Sequence, residues 1–219
     1  ATGKPVILVL LGGSAVAVNW AQAHVPAILE AWYPGQAGGT AVAEALFGLT
    51  NPGGRLPVTF YQSAADLPPF EDYNMANRTY RYFTGQPLYH FGFGLSYTTF
   101  AYSGLSISPE PAQPGNSVTV RVTIENTGQR AGDEVAQLYL TDVEASLPVP
   151  LRALQGFQRV RLDPGQKQEL TFTLTPEQIG FADEAGNWIT EPGAFRVWVG
   201  GQQPGPGANG LEGQFELKS

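Results

Sequence analysis

At 219 residues the chain has room for one or two domains, and 42% hydrophobic residues suffice for ordinary cores. A formal net charge of -7 argues against a nucleic-acid partner, and the absence of cysteine removes a disulfide framework, a thiolate metal site and a thiol nucleophile. No apolar run approaches the roughly 18 residues a membrane-spanning helix needs. The 27 Gly and 18 Pro point to a turn-rich, mostly β chain. Taken in order, Pro5 to Leu11 (PVILVLL) is a continuous apolar, β-branched run, which predicts a strand buried on both faces, as in a parallel sheet. Gly12-Gly13-Ser14 supplies a turn, and Ala15 to His24 predicts a short helix carrying Trp20. A second apolar run, Ala27 to Tyr33, ends at Pro34-Gly35. Thr40 to Phe47 predicts a helix with Ala41, Ala45 and Leu49 on one face, stopped at Gly48. The turn Asn51-Pro52-Gly53-Gly54 leads into a short predicted strand, Arg55 to Phe60. Alternating strand and helix is the grammar of a parallel α/β layer. Three strands and two helices do not close such a domain, so residues 1–60 read as the C-terminal part of a larger α/β sandwich.

Residues 61–100 form a connecting segment studded with rings: Tyr73, Tyr80, Tyr82, Phe83, Tyr89, Phe91, Phe93, Tyr97 and Phe100. That much aromatic surface demands cover, so the segment is not a flexible linker. Tyr80 to Phe83 is expected to form a short strand. Beyond residue 101 the pattern changes. Val118, Val120, Val122 and Ile124 alternate with Thr119, Arg121, Thr123 and Glu125, the signature of a half-buried strand. Val135–Leu140, Leu170–Leu174, Ala194–Val199 and Gln214–Leu217 add further strands, with turns at Asp163-Pro164-Gly165 and Glu191-Pro192-Gly193. Residues 101–219 therefore read as an all-β sandwich of immunoglobulin or fibronectin III type.

The chemistry-bearing residues are sparse. Gly12-Gly13-Ser14-Ala15-Val16 has neither dinucleotide nor P-loop spacing and breaks the nucleophile-elbow pattern, so it reads as a structural turn. His24 and His90 lack partners at ligand spacing, and no metal or cofactor is expected. General acid–base work on a polar bond calls for a pair of carboxylates. Glu30, Glu44, Asp66, Glu71 and Asp72 are the candidates, with Glu44 expected to face solvent and Glu30 to pair with a neighbouring cation. Phe70-Glu71-Asp72-Tyr73 has the composition of a sugar site: carboxylates to accept from hydroxyls and rings to stack on a pyranose. A surface loop packed by its own aromatics is the plainer reading of the same four residues. Asn77-Arg78-Thr79 matches a glycosylation sequon, a triplet common by chance.

Three blocks carry a resemblance to a known family. They are AWYPGQAGGTAVAEALFG with NPGGRLPVTF, then PLYHFGFGLSYTTF at Pro87 to Phe100, then EPGAFRVWVG at Glu191 to Gly200. In this order they resemble the C-terminal part of glycoside hydrolase family 3, the β-glucosidases and β-xylosidases, over essentially the whole chain. The resemblance implies the end of an α/β sandwich domain followed by a fibronectin type III-like domain. It implies a retaining enzyme acting on oligosaccharides. The nucleophilic Asp would stand on a TIM-like barrel and the acid/base Glu in an upstream part of the sandwich, so no residue of this chain is assigned a catalytic role. The partner implied is the N-terminal part of the same enzyme, with room for a homodimer. PPFEDYNMANRTYRYF is more similar to β-xylosidase-type members, which makes Phe70, Glu71, Asp72 and Tyr73 expected substrate-binding residues on the rim of the sugar pocket. Compartment is left open between cytoplasm, periplasm and secretion. The alternative from another class is a non-catalytic carbohydrate-binding or adhesion module.

Overall fold

The first elements follow the apolar runs. In the computed structural model, which describes residues 3–218, β1 (Ile7–Leu10) and β2 (Ala27–Glu30) pair in parallel, with Ile7 opposite Ala27 and Leu10 opposite Glu30. The predicted strands are longer than those formed, and burial differs from expectation. Val6, Ile7 and Leu11 are exposed, because no further strand or helix lies over that edge among the described residues. Helix α1 (Asn19–His24) is shorter than the predicted Ala15–His24, and Pro26 follows its end, where Val25 is already extended. Helix α2 (Gly38–Leu46) ends at Gly48, whose φ of +71° reverses the chain as a left-handed C-terminal residue does.

Two expectations are corrected. Arg55 to Phe60 is not a strand. Residues 56–60 run beside 88–93, with Leu56 N–H donating to Phe93 O and Phe60 N–H to Tyr89 O, but Phe60 with Tyr89 makes only an isolated bridge. Pro57 has no N–H to offer a ladder at the middle of the run. Tyr80 to Phe83 is not a strand either: Thr79–Tyr82 forms one helical turn, α3, closed by bonds from Tyr82 N–H to Arg78 O and Phe83 N–H to Thr79 O. Asn77 and Thr79 take left-handed φ values of 57° and 53°, which bends the chain out of an extended path.

The β part is a sandwich of two antiparallel sheets. Strands β3 (Phe100–Ser108), β4 (Val118–Asn126) and β7 (Lys167–Leu174) form one, in the order β3-β4-β7. Strands β5 (Gly132–Asp142), β6 (Ala153–Leu162), β10 (Gly193–Gly200) and β11 (Gly210–Leu217) form the other, in the order β11-β10-β5-β6. Between them, α4 (Pro176–Ile179) and the two-residue pair β8 (Phe181–Ala182) and β9 (Trp188–Ile189) bridge the ends. Val118, Val120, Val122 and Ile124 meet Leu138, Leu140, Leu170, Phe172, Phe195, Val197 and Phe215 in one core, as the alternation predicts. Strands β3 and β6 are absent from the predicted set. Gly104 and a register shift between Ser103 and Ser106 break the period in β3.

Strand β5 is buried on both faces from Ala136 to Leu140. Its inner face feeds the core. Its outer face, Gln137 and Tyr139, is covered by the aromatic segment, where Tyr80 and Phe91 meet Tyr139 edge-on and stack on each other at 4.1 Å. At the N-terminal end of β5, Glu134 is 3% exposed and pairs with Arg55 at 3.0 Å, while Tyr102 OH donates to its other oxygen at 2.8 Å.

A buried charge left without its partner is expensive. Arg55→Leu is expected to lower unfolding stability by about 3–5 kcal/mol in a urea titration. The double variant Arg55→Leu/Glu134→Leu is expected to recover part of that loss. Amide exchange is expected to be much faster in β1 and β2 than in β4, because exposed short strands open locally while the sandwich core opens only globally.

Candidate functional site

The acidic and aromatic loop is built from local bonds. Ser63 and Asp66 form a capping box around the short 3-10 turn Ala64–Asp66, with Ser63 N–H donating to the Asp66 carboxylate at 3.0 Å. Asp72 Oδ1 accepts from the Asn74 backbone N–H at 2.9 Å and from Asn74 Nδ2 at 2.7 Å. Arg78 straps the loop from below, donating from Nε to Asn74 O at 2.9 Å, from Nη2 to Pro69 O at 3.2 Å, and also to Asp72 O. Phe70 and Tyr73 are then held out of the fold, 89% and 87% exposed. The backbone hydrogen bond from Asn74, reinforced by its side chain, holds the Asp72 carboxyl below the usual carboxylate range. Glu71 is exposed on the same turn. The four residues thus share one exposed, internally braced turn.

The other carboxylates of the α/β part have local work. Glu30 pairs with no cation among the described residues. Its Oε1 accepts from Trp32 N–H at 3.0 Å, where Trp32 has φ +50°. Glu44, at intermediate burial, accepts from the Thr50 hydroxyl at 3.2 Å in a bond that lies exposed. Asn77 Oδ1 accepts from Thr84 N–H and from its hydroxyl.

A second arrangement has no signal in the local sequence. A cavity of about 300 Å³ lies where the aromatic segment meets the sandwich, lined among others by Thr59, Tyr80, His90, Arg152 and Gln203. Arg152 Nη1 donates to Tyr80 O at 3.1 Å. Gln203 is 4% exposed, and its Nε2 lies 2.9 Å from His90 Nδ1. Burial, and after it the Arg152 charge, hold His90 below its ordinary value. Burial likewise presses down on the Arg152 guanidinium. These residues are scattered from 59 to 203, so no spacing rule could have joined them. Among the described residues no cluster of three or more His, Asp or Glu could hold a metal.

Residues 1–97 match the glycosyl hydrolase family 3 C-terminal domain, and residues 134–203 match a fibronectin type III-like domain. Residues 1–97 thus belong to the C-terminal domain of glycoside hydrolase family 3. The whole chain is 38% identical over 99% of its length to a periplasmic β-glucosidase of Salmonella typhimurium, covering 29% of that protein. It is 43% identical over 91% of its length to a xylan 1,4-β-xylosidase of Xylanibacter ruminicola, covering 23% of it. Among solved structures, it superposes on β-glucosidase 3B of Thermotoga neapolitana, in complex with α-D-glucose, with a TM-score of 0.88 at 36% identity, covering 99% of this chain and 32% of that one. A β-glucosidase of Listeria innocua in complex with glucose gives 0.85 at 32% identity, with 99% and 31% covered. The chain thus spans under a third of these four relatives, which are longer proteins of which it corresponds to one portion.

The blocks that carry the family resemblance act as joints in this chain. Asn51 Nδ2 donates to Ala131 O at 2.9 Å, while its Oδ1 accepts from Ser96 Oγ at 2.9 Å and Tyr97 N–H at 2.8 Å. Tyr97 OH donates to Ala45 O at 2.7 Å, and Arg130 lies over the Tyr97 ring at 5.6 Å.

A carbon-detected titration of Asp72 is expected to give a midpoint below 3.8, the ordinary value from which Asn74 lowers it. For His90 the unfolded chain takes up the proton first, since the folded value is depressed below 6.5. Stability present above 6.5 is therefore expected to fall as the pH drops through the folded value of His90, and a His90→Gln variant followed by urea unfolding is expected to lack that part of the slope.

Proposed function

We propose that this chain is the C-terminal portion of a retaining family 3 β-glycosidase, of β-xylosidase or β-glucosidase type, that releases terminal β-linked sugars from oligosaccharides. The observation that carries the reading is coverage. Relatives named β-glucosidase and β-xylosidase align along 99% and 91% of this chain, which takes up only 29% and 23% of them. The reaction would be a double displacement through a glycosyl-enzyme intermediate, with both carboxylates on sequence N-terminal to this portion.

In this reading residues 1–60 complete an α/β sandwich, residues 61–100 connect, and residues 101–219 form the fibronectin type III-like domain. The exposed Val6, Ile7, Leu11 and Trp20 support the first assignment, since all-parallel sheets are covered on both faces in folded domains. The remainder of the enzyme would supply that cover. Phe70, Glu71, Asp72 and Tyr73 would form part of the rim of the sugar pocket. The 89% and 87% exposure of the two rings leaves their faces free to stack on a pyranose.

Aryl β-xyloside and aryl β-glucoside hydrolysis tests the reading. The 219-residue chain alone is expected to hydrolyse neither substrate. In the longer protein that contains it, Tyr73→Ala is expected to raise KM roughly 2- to 10-fold with kcat little changed, the loss of one stacking contact of about 0.5–1.5 kcal/mol. Turnover by the isolated chain would overturn the proposal. Saturable oligosaccharide binding by the isolated chain, with an unchanged KM in the Tyr73 variant, would favour a carbohydrate-binding module.

A further inference from the structure

The turn that carries Phe70 and Tyr73 has little grip on the rest of the molecule. Leu67 and Met75 at its ends are both exposed, so its flanking apolar side chains do not root it in a core. Its internal bonds, Asp72 to Asn74 and Asp72 N–H to Pro69 O at 3.0 Å, shape the turn but fasten it to nothing. Among the described residues, every hydrogen bond that ties residues 68–76 to another part of the chain ends on Arg78. The Arg78 backbone N–H donates to Met75 O at 3.0 Å, Nε to Asn74 O at 2.9 Å, and Nη2 to the carbonyls of Pro69 and Asp72. One guanidinium thus gathers carbonyls from both limbs of the turn. A lysine could not do the same, because its ammonium is a compact charge on a flexible stem, whereas the guanidinium presents its donors in a planar fork.

Arg78 itself is rooted. Its neighbours Asn77 and Thr79 hold left-handed φ values of 57° and 53°, which non-glycine residues keep only where surrounding contacts impose them. Those contacts are present. Asn77 Oδ1 accepts from Thr84 N–H at 3.1 Å and from the Thr84 hydroxyl at 3.2 Å, and Thr79 N–H donates to Tyr61 OH at 3.0 Å. Tyr61 stands edge-on to the buried Phe83 at 4.8 Å. Tyr80 OH accepts from Leu154 N–H at 3.1 Å, and its ring lies over Tyr139 of β5. A fixed path therefore runs from β5 through the aromatic segment to Arg78, and Arg78 is the last link to the two exposed rings. Ordering a loose turn on binding costs conformational entropy, so a turn fixed in advance makes its rings more effective.

We infer that Arg78 is a positioning residue of the proposed sugar-pocket rim: it touches no sugar, and it holds Phe70 and Tyr73 in the pose from which they stack on one. The inference rests on the reading of the Phe70–Tyr73 turn as that rim.

Steady-state kinetics of the longer protein on the aryl β-xyloside or β-glucoside it turns over tests it. Arg78→Ala frees both rings, so it is expected to raise KM at least as much as Tyr73→Ala does, with kcat changed by less than about twofold. In a Phe70→Ala/Tyr73→Ala background the same Arg78→Ala change is expected to move KM by less than about twofold, because a residue that acts through the rings has nothing left to act on. If Tyr73→Ala raises KM and Arg78→Ala does not, the inference is overturned and the rim reading stands. An equal rise from Arg78→Ala with and without the rings overturns it in the same way. An unchanged KM in Tyr73→Ala overturns the rim reading and this inference with it. Should Arg78→Ala lose its near-ultraviolet circular dichroism, Arg78→Lys decides alone: it keeps the charge but not the fork, and is expected to raise KM by at least about twofold, an unchanged KM overturning the inference.

Discussion

The ion pair between Arg55 and Glu134 is the constraint on which the arrangement of the chain rests. Both side chains are almost wholly buried, and the pair joins residues 79 positions apart. Two charges withdrawn from water gain little net energy by meeting, but either one left alone is costly. The consequence is orientation more than stability. Arg55 must lie over the N-terminal end of β5, so the Asn51-Pro52-Gly53-Gly54 turn before it must lie against the loop before β5. Asn51 completes the joint by reaching Ala131 O on one side and Ser96 and Tyr97 on the other. Tyr102 in β3 donates to the same carboxylate a hydroxyl that burial and the Glu134 charge make very hard to ionise. One acidic side chain thus sets the register between the connecting turn and both sheets of the sandwich.

Aromatic packing extends the joint along β5. Gln137 and Tyr139 sit on the face of that strand away from the core, where strict alternation expects solvated side chains. Gln137 Nε2 donates to Gly92 O at 3.1 Å and to Gly201 O at 2.7 Å, and Tyr139 OH donates to Gln137 Oε1 at 2.6 Å. Gly92, at φ +79°, has no room for a Cβ beside the Gln137 amide, so the backbone approaches as closely as glycine allows. The rings of Tyr80 and Phe91 then close over Tyr139. The segment that looked too aromatic for a linker is a lid fixed to the outer face of β5.

What the sequence revealed and what it hid follow from the range of the interactions. The alternation of Val118 to Ile124 is a period-2 signal generated within one strand, and it placed β4 and its buried face without help. The two parallel strands, the α2 helix and the Gly48 stop were legible for the same reason. Arg55 to Phe60 misled because it has the composition of a strand, whereas Pro57 and the single bridge at Phe60 decide otherwise. Tyr80 to Phe83 misled because its rings suit a strand, while the left-handed residues Asn77 and Thr79 turn the chain into a helical loop. The exposed turn from Phe70 to Tyr73 could be read because its bracing is local: Asp72 to Asn74, and Arg78 back to the same loop. The cavity at Arg152 could not. Its polar groups come from the region of the former predicted strand, the aromatic segment, the β5–β6 loop and the loop before β11, and only the folded chain brings them together.

The unequal burial of the two halves carries one more step of argument. The sandwich owns its core, with Val118, Val122, Leu138 and Val197 fully buried by residues of the same half. The two-stranded parallel sheet does not. Its strands turn Ile7 and the flanking Val6 and Leu11 outward, and α1 leaves Trp20 71% exposed. Two strands are too few to be stable in isolation. What holds this half in place is its fastening to the rest: Asn19 Nδ2 to Gln62 O at 2.7 Å, the contact of Tyr89 OH with Gln22, Trp32 edge-on to Phe60, and Arg130 to Gly48 O at 2.5 Å. Polar and aromatic ties fix position, and apolar cover fixes stability. This half has the first from the aromatic segment and the sandwich, while its outward apolar residues are suited to receive the second from the neighbouring layers of a larger α/β domain.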